Sequence, residues 1–269
     1  MESRVSASRK PAALFAVSKD GVRVAYDVTG EGPVLVLLPG GGQSRHVWRE
    51  LGYVDRLSKH FTVITQDIRG NGESDKPAAV ASYAIERHID DVLSVADAVG
   101  APRFSVWGYS YGGNIGRYLP AYTDRVARLV MIGIPFGAAA QGAFREYALG
   151  LKAKWTPVIE AHRAGTVDVN ALSEADRLLW QRGIVESTVA QLSALCDWPG
   201  LEPRDLRCPT LWVVGTANDN AMASVKNYQQ QLIGTTVTLH LLAGLTHEDE
   251  LARIEDVLAP MRDFTLSLG

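Results

Sequence analysis

Short apolar runs alternate with amphipathic segments along most of the chain. The runs contain no charged residue, and they occupy residues 34–38, 61–65, 104–107, 129–134 and 210–214. Such continuous runs are typical of strands buried on both faces, as in a parallel sheet covered by helices. Residues 83–99 carry apolar side chains at helical spacing and end at Gly100. The alternation predicts an α/β domain with right-handed crossovers and ligand chemistry at the carboxyl ends of the strands.

The two ends of the chain add further elements. Residues 12–18 and 22–29 predict a hairpin turning at Asp20-Gly21, and residues 236–242 predict the last strand. Residues 254–266 are expected to form a closing helix. Further helices are predicted at 48–59, 114–122 and 221–233.

The alternation lapses between residues 136 and 206, where three segments have helical patterns, at 144–155, 173–182 and 185–195. We interpret residues 136–206 as a helical cap inserted into a core of residues 12–135 and 207–269, with residues 1–11 as a flexible tail. Trp155 and Trp180 in the insertion are candidate lining residues of a partly apolar pocket, although packing between helices explains aromatic residues equally well.

Composition narrows the class of protein. The 269 residues are 46% hydrophobic and 21% charged, with a formal net charge of -3. This balance predicts no broad basic surface for nucleic acid, and no run approaches the roughly 20 apolar residues that span a bilayer. The two cysteines, Cys196 and Cys208, provide no disulfide framework, so a reducing, cytoplasmic location is expected. The sequence is compatible with either a monomer or a homo-oligomer.

The strongest local motif is Gly108-Tyr109-Ser110-Tyr111-Gly112, between a predicted strand and a predicted helix. Glycines on both sides allow a sharp turn that exposes a serine hydroxyl. The motif alone is a weak signal, because the chain contains 25 glycines. A serine nucleophile also needs a base, usually a histidine oriented by a carboxylate.

His247 is the best candidate base. Three histidines follow Ser110, namely His162, His240 and His247. The first falls in the helical insertion and the second inside the last strand. His247 follows that strand in a loop, from which it can reach back over the strand ends.

Asp219 is the leading candidate for the orienting carboxylate, because it follows the strand at 210–214. The alternative position, after the strand at 129–134, offers no acid. Residues 248–250 read Glu-Asp-Glu, next to His247. We interpret them as the acidic first turn of the final helix, since adjacent residues rarely pair as base and orienting acid.

Acyl chemistry also requires donors for an oxyanion. The backbone N–H of Tyr111 and that of Gly41, in the loop after the first buried strand, are the candidates. Gly40 and Tyr109 are tentative pocket residues. A phosphate-binding loop is disfavoured because no Lys-Ser or Lys-Thr follows the glycines, and neither a dinucleotide fingerprint nor a metal-ligand cluster is found. No cofactor or metal is therefore expected.

Together these motifs resemble the α/β-hydrolase superfamily, in particular its esterase and haloperoxidase branch with a small helical cap. The resemblance runs from about residue 12 to the C-terminus and also rests on residues 67–75, Asp-Ile-Arg-Gly-Asn-Gly-Glu-Ser-Asp, and on 208–211. It implies a mostly parallel eight-stranded sheet with helices on both faces. Pro39 stands where many relatives carry histidine. Relatives that open epoxides or remove halides use aspartate at the position of Ser110, which argues against those activities.

The sequence thus predicts a serine hydrolase that cleaves a small carboxylic ester or lactone through Ser110, His247 and Asp219. A hydrolase of a diketone C–C bond, or a perhydrolase, would use the same triad. A slow-turnover ligand sensor is the alternative from another class. Asp67 and Arg69 are expected to fix a turn near the pocket.

Overall fold

A computed structural model describes residues 13–267, so the predicted tail at 1–11 lies outside the described residues. Its centre is an eight-stranded sheet in the order β1-β2-β4-β3-β5-β6-β7-β8. The strands are β1 Leu14–Val17, β2 Arg23–Thr29, β3 Val34–Leu38, β4 Thr62–Gln66, β5 Phe104–Tyr109, β6 Val126–Ile132, β7 Thr210–Gly215 and β8 Val237–Leu242. Only the pairings of β2 with β1 and β4 are antiparallel. The prediction of a mostly parallel α/β sheet is confirmed.

The helices that surround the sheet vary widely in length. They are α1 Val47–Glu50, α2 Tyr53–Leu57, α3 Ile85–Ala98, α4 Tyr111–Gly116, α5 Leu119–Tyr122, α6 Gly142–Arg163, α7 Glu174–Gln181, α8 Val185–Leu195, α9 Asp219–Tyr228, α10 Asp249–Ala252 and α11 Ile254–Leu266. Within residues 13–267, none of the helices has both the length and the apolar character needed to cross a membrane.

Successive residues of each central strand enter different cores, because side chains alternate between the faces of a sheet. Val36 and Leu38 of β3 belong to the core shared with α3, α4 and α9. Leu35 and Leu37 belong to the opposite core, shared with α1, α2 and α11. All four side chains are fully buried, which explains why the strand is apolar throughout.

Some predicted helices differ from the observed ones at points where the backbone must turn. The predicted helix at 48–59 is divided into α1 and α2 at Gly52, which has a φ of 83°. The helix expected at 114–122 begins earlier, at Tyr111, immediately after the serine turn, and it is divided into α4, which ends at Gly116, and α5, which begins at Leu119. The acidic run at 248–250 enters the separate helix α10 rather than the first turn of α11.

Helices α6, α7 and α8 lie between β6 and β7, inside the segment interpreted as an insertion. Trp155, Ile159, Val185 and Val189 form a small core of their own. Trp155 stacks on Trp180 with ring centroids 6.0 Å apart. The two tryptophans therefore hold these helices together.

Candidate active site

The serine turn lies where β5 meets α4. Ser110 has φ 52° and ψ -115°, and no other non-glycine residue in the described part of the chain has a positive φ. The flanking glycines make this turn sterically feasible. A Cβ on Gly112 would lie 2.3 Å from the carbonyl oxygen of Leu38, and one on Gly108 would lie 2.3 Å from that of Gly112. The strain at Ser110 is typical of a side chain held for chemistry.

His247 reaches this serine from the loop after β8. Its Nε2 lies 3.0 Å from Ser110 Oγ, so the structure brings the predicted nucleophile and base together. Tyr109 stacks against the imidazole with ring centroids 5.0 Å apart, and its hydroxyl donates to the His247 carbonyl oxygen at 3.0 Å. Burial, together with Glu250 and Glu248, raises the pKa of Tyr109, so this phenol remains a neutral donor. Tyr109 thus holds the His247 ring in place and does not line the cavity.

The carboxylate beside His247 is that of Glu250, which corrects the expectation for Asp219. Glu250 Oε2 lies 3.0 Å from His247 Nδ1. The side chain of Glu250 has no solvent exposure, and it accepts hydrogen bonds from the Gly215 N–H at 2.6 Å and from Asn218 Nδ2 at 3.0 Å. Together with His247 Nδ1, these donors give both oxygens of the buried carboxylate a hydrogen-bond partner.

Asp219 misses this position because the end of β7 presents Asn218 there instead. Asp219 is exposed at the first turn of α9, and its side chain has no hydrogen bond or ion pair with any residue in 13–267. The spacing of His247 and Glu250 was the available signal. Residues three apart lie on one face of a helical turn, and the short helix α10 supplies that turn.

Gly133, directly after β6, leaves room for the pair of His247 and Glu250. A Cβ at this position would lie 2.1 Å from Glu250 Oε2 and 2.7 Å from His247 Nδ1. Its φ of 71° also favours glycine. The role of Gly133 is not visible in the sequence, because it depends on contacts with residues that are more than 100 positions away.

Two backbone amides face the space beside Ser110. The N–H groups of Tyr111 and Gly41 find no acceptor in residues 13–267. A Cβ on Gly41 would lie 3.6 Å from Tyr111 Cβ, so the two segments approach closely. The Gly112 N–H donates to Pro39 O at 3.0 Å, and the Gly40 N–H to Gln43 Oε1 at 2.8 Å. Gly40 therefore shapes the loop and does not line the cavity.

A cavity of about 520 Å³ opens above Ser110 and His247. Gly41 and Tyr111 line it, whereas Trp155 and Trp180 do not, so the tentative assignment of those tryptophans to the pocket is wrong. The residues that the segment 136–206 contributes instead are Ala139, Phe144, Tyr147, Thr188, Gln191, Leu192 and Leu195. Helical periodicity alone could not show which face of α6 and α8 turns towards the sheet.

A model of the alpha/beta hydrolase fold family matches residues 33–222. This chain belongs to the α/β-hydrolase family. The match includes β3, the serine turn and the start of α9, and the family resemblance stated from the motifs is thereby confirmed.

Curated relatives of this α/β-hydrolase match only part of their length. A protein of Mycobacterium tuberculosis with no assigned function is 35% identical over 116 residues, which cover 42% of this chain and 32% of the relative. A soluble epoxide hydrolase of a Corynebacterium species is 34% identical over 125 residues, covering 46% of this chain and 42% of the relative. The chain thus spans less than half the length of these relatives.

Solved structures match the whole fold. An esterase from a Rhodococcus species has a TM-score of 0.67 at 24% identity, covering 96% of this chain and 100% of the other. An enol-lactonase from Burkholderia xenovorans has a TM-score of 0.69 at 22% identity, covering 94% and 100%. Family membership and hydrolase relatives support the prediction that this α/β-hydrolase is an enzyme.

Two buried arginines of the hydrolase hold the loops below the site. Asp67 accepts from the Arg45 backbone N–H at 2.5 Å and from Arg45 Nη1 at 2.6 Å. Arg69 pairs with Asp91 at 2.6 Å and with Asp20 at 2.8 Å. Asp67 and Arg69 thus fix loops, as expected, although each pairs with other residues and not with its neighbour.

A buried histidine lies against Tyr111, the residue that follows Ser110. His88 Nε2 is 3.1 Å from the Tyr111 hydroxyl, and the ring of Trp198 packs against both. Burial, with a further contribution from Arg69, lowers the pKa of His88 well below its ordinary value. Burial likewise raises the pKa of Tyr111. Both groups are therefore neutral and form part of the packing.

Proposed function

We propose that this protein is a serine hydrolase that cleaves a carboxylic ester or a lactone. The observation that supports this proposal is the continuous relay from Ser110 Oγ to His247 Nε2, and from His247 Nδ1 to Glu250 Oε2, with 3.0 Å at each step. In this relay Ser110 is the nucleophile and His247 the general base. Glu250 fixes the imidazole in the tautomer that accepts the serine proton.

The reaction follows from this geometry. Ser110 Oγ attacks the substrate carbonyl while His247 Nε2 takes its proton. The N–H groups of Tyr111 and Gly41 then stabilise the oxyanion of the tetrahedral intermediate. Its collapse breaks the C–O bond, and His247 returns the proton to the leaving alcohol. Water activated by His247 attacks the acyl-enzyme and releases the acid and the free serine.

The nucleophile favours ester cleavage over epoxide opening, although epoxide hydrolases are among the relatives. Ser110 occupies the turn where, by the family resemblance, epoxide-opening enzymes use aspartate. Paired with a base, a serine is suited to acyl transfer, and the two free amide donors match the charge that develops on a carbonyl oxygen. The cavity is also lined by apolar groups, including Ile134, Leu192 and Leu195, suitable for the carbon skeleton of a small ester.

We also propose that residues 136–206 act as a cap over this site, because α6 and α8 contribute side chains to the cavity. Cys196 and Cys208 are both free thiols. Unpaired cysteines agree with the proposal of a reducing, cytoplasmic location.

The proposal is tested with p-nitrophenyl butanoate and a fluorophosphonate probe on the wild type and on Ser110→Ala. The wild type is expected to hydrolyse the ester and to be labelled at Ser110, whereas the variant does neither and keeps its melting temperature. Negligible turnover and labelling of the wild type, with a thermal shift on adding esters, would instead favour the ligand sensor.

A further inference from the structure

Asn114 is a buried polar residue of the cavity whose side chain has no hydrogen-bond partner among residues 13–267. It is only 6% exposed and lines the cavity together with Ser110 and Tyr111. Its Oδ1 is buried without a hydrogen-bond partner, and the side-chain amide makes no hydrogen bond within residues 13–267. By contrast, the amide of Asn218 contacts both oxygens of Glu250.

An unsatisfied buried amide lowers stability, and an apolar side chain of similar size would avoid that cost. Structural asparagines are usually held by the hydrogen bonds they make, as Asn218 is. Asn114 contributes no such bond to the fold. The polar character of this position is therefore better explained by a bound molecule than by folding.

The position of Asn114 indicates which part of a substrate it meets. Its backbone N–H donates to Ser110 O at 2.9 Å, so it lies one helical turn beyond the nucleophile. Ile134 and Leu195, which also line the cavity, are buried, whereas Phe144 and Tyr147 are exposed at 39% and 59%. Asn114 thus lies at the closed, mainly apolar end of the cavity, and the two aromatic residues mark its open end.

The chemistry of the lining restricts the group that fits. The described residues that line the cavity include no Asp, Glu, Lys or Arg. A charged substituent would lose its hydration here without gaining a counter-ion. A hydroxyl group is neutral, and its oxygen can accept a hydrogen bond from Asn114 Nδ2, the end of the amide that is not closed off from the cavity.

We infer that Asn114 is a specificity-determining residue that hydrogen-bonds a hydroxyl group on the acyl chain. The preferred substrates are accordingly hydroxyacyl esters or the corresponding lactones. This inference rests on the proposed function, since it assigns the substrate class of the same site. A buried amide that loses its only partner discriminates strongly against the analogue that lacks the hydroxyl.

The test compares ethyl 3-hydroxybutanoate with ethyl 3-methylbutanoate, in which a methyl group replaces the hydroxyl. For the wild type we expect kcat/KM to be about tenfold higher for the hydroxy ester, the size of effect that one hydrogen bond to a buried group supports. In Asn114→Leu this ratio should fall about tenfold. The two esters also differ in intrinsic reactivity. That difference is the same for both enzymes, so it cancels when the ratio of kcat/KM values is compared between the wild type and Asn114→Leu.

Asn220→Leu is the matched control, because Asn220 is an exposed amide on the rim of the same cavity. It should leave the ratio between the esters unchanged. If Asn114→Leu folds poorly, the ratio of kcat/KM values for the two esters is compared between the wild type and Asn114→Ala. A ratio near one in the wild type, or a ratio that Asn114→Leu does not change, overturns the inference and assigns Asn114 to internal packing.

Failure of the proposed function gives a different result. If the wild type hydrolyses both esters without preference, only the assignment of Asn114 fails. If it hydrolyses neither, calorimetric titration of Ser110→Ala with both esters still tests the site. Tighter binding of the hydroxy ester supports the role of Asn114 without turnover, and equal or no binding overturns it.

Discussion

The carboxylate of Glu250 has no solvent exposure, and it accepts hydrogen bonds from three donors. They are His247 Nδ1, the Gly215 N–H and Asn218 Nδ2. The backbone donor is fixed by β7, and Asn218 is fixed as the N-cap of α9, where its Oδ1 accepts from the Ala221 N–H. This arrangement lets an acid that follows the histidine in sequence orient its ring.

Glu250→Gln is the direct test of this role. Since the amide can donate to Nδ1 and favour the wrong imidazole tautomer, we expect kcat to fall about 10²–10⁴-fold with little change in KM. Steady-state kinetics on p-nitrophenyl butanoate measures it. Asp219→Asn is the matched control and should remain within about twofold of the wild type, since Asp219 is exposed. The reverse order of effects would restore Asp219 as the orienting acid.

Moving the carboxylate from position 250 to position 218 tests whether its position beside His247 is what matters. Asn218→Asp in the Glu250→Gln background returns a carboxylate to within reach of His247 Nδ1, which lies 3.3 Å from Asn218 Nδ2. We expect this double variant to recover at least about tenfold of the lost kcat. If kcat does not recover while the melting temperature is unchanged, a carboxylate at position 218 cannot replace Glu250. The direction from which the carboxylate approaches His247 would then be essential.

Gly133→Ala probes the space beside the same pair. The added methyl would overlap Glu250 Oε2 and strain a backbone at φ 71°, so we expect a loss of about 1–3 kcal/mol in unfolding free energy. Activity should fall as well, because His247 must move. Gly150→Ala is the control, since this glycine lies inside α6 with open space around it. It should stabilise the protein by about 0.5–1 kcal/mol. Urea denaturation of both variants measures the difference.

The bounds of individual helices show which parts of the fold can be predicted from the sequence. The bounds of α8 and α11 agree with the prediction, because strong apolar periodicity and clear ends define them. The break at Gly52 and the short helix α10 were missed, since each depends on a turn that tertiary packing selects. The consequence for the site is specific. Without α10 as a separate turn, Glu250 could not be placed beside His247.

Helix α6 presents two aromatic residues at the open end of the cavity. Phe144 and Tyr147 stack with ring centroids 6.4 Å apart. We expect Tyr147→Ala to raise KM several-fold for naphthyl esters and to change the kinetics of ethyl esters little, because only the larger group extends to the rim. Thermal melting should be nearly unchanged for this exposed residue. Equal effects on both esters would place the aromatic pair outside the substrate path.

Helix α3 buries His88 against Tyr111, and this buried histidine makes the fold sensitive to acid. The pKa of His88 is lowered in the folded protein, so the unfolded chain binds a proton first as the pH falls below about 6.5. Below that pH the folded state loses stability by up to about 1.4 kcal/mol per pH unit. We expect His88→Gln to flatten this loss between pH 6.5 and 5 in urea titrations. His60→Gln, at an exposed position, should not.

Across the whole molecule, the parallel sheet and the pair of Ser110 and His247 were accessible from the sequence, because apolar runs and glycine spacing are local signals. The packing of residues 136–206 and the position of Glu250 beside His247 were not. Trp155 of α6 stacks on Trp180 of α7, while Phe144 of α6 and Leu195 of α8 line the cavity. Which side of a helix faces a cavity is decided by contacts between segments distant in sequence, and one sequence does not encode them as a pattern.

Trp198 connects the end of α8 with Tyr83, His88 and Tyr111. It follows α8, its indole N–H donates to Tyr83 O at 3.0 Å, and its ring packs against His88 and Tyr111. Trp198→Phe keeps a ring but leaves the Tyr83 carbonyl unpaired. We therefore expect a loss of about 1–3 kcal/mol in unfolding free energy. Hydrogen exchange should accelerate both in α8 and around Tyr111, with kcat/KM several-fold lower. Trp180→Phe, inside the cap, should accelerate exchange in the cap helices alone. If Trp198→Phe accelerated exchange in α8 alone, α8 and the turn at Tyr111 would be independent units. Substrate binding under the proposed cap could then not be coupled to Ser110 through Trp198.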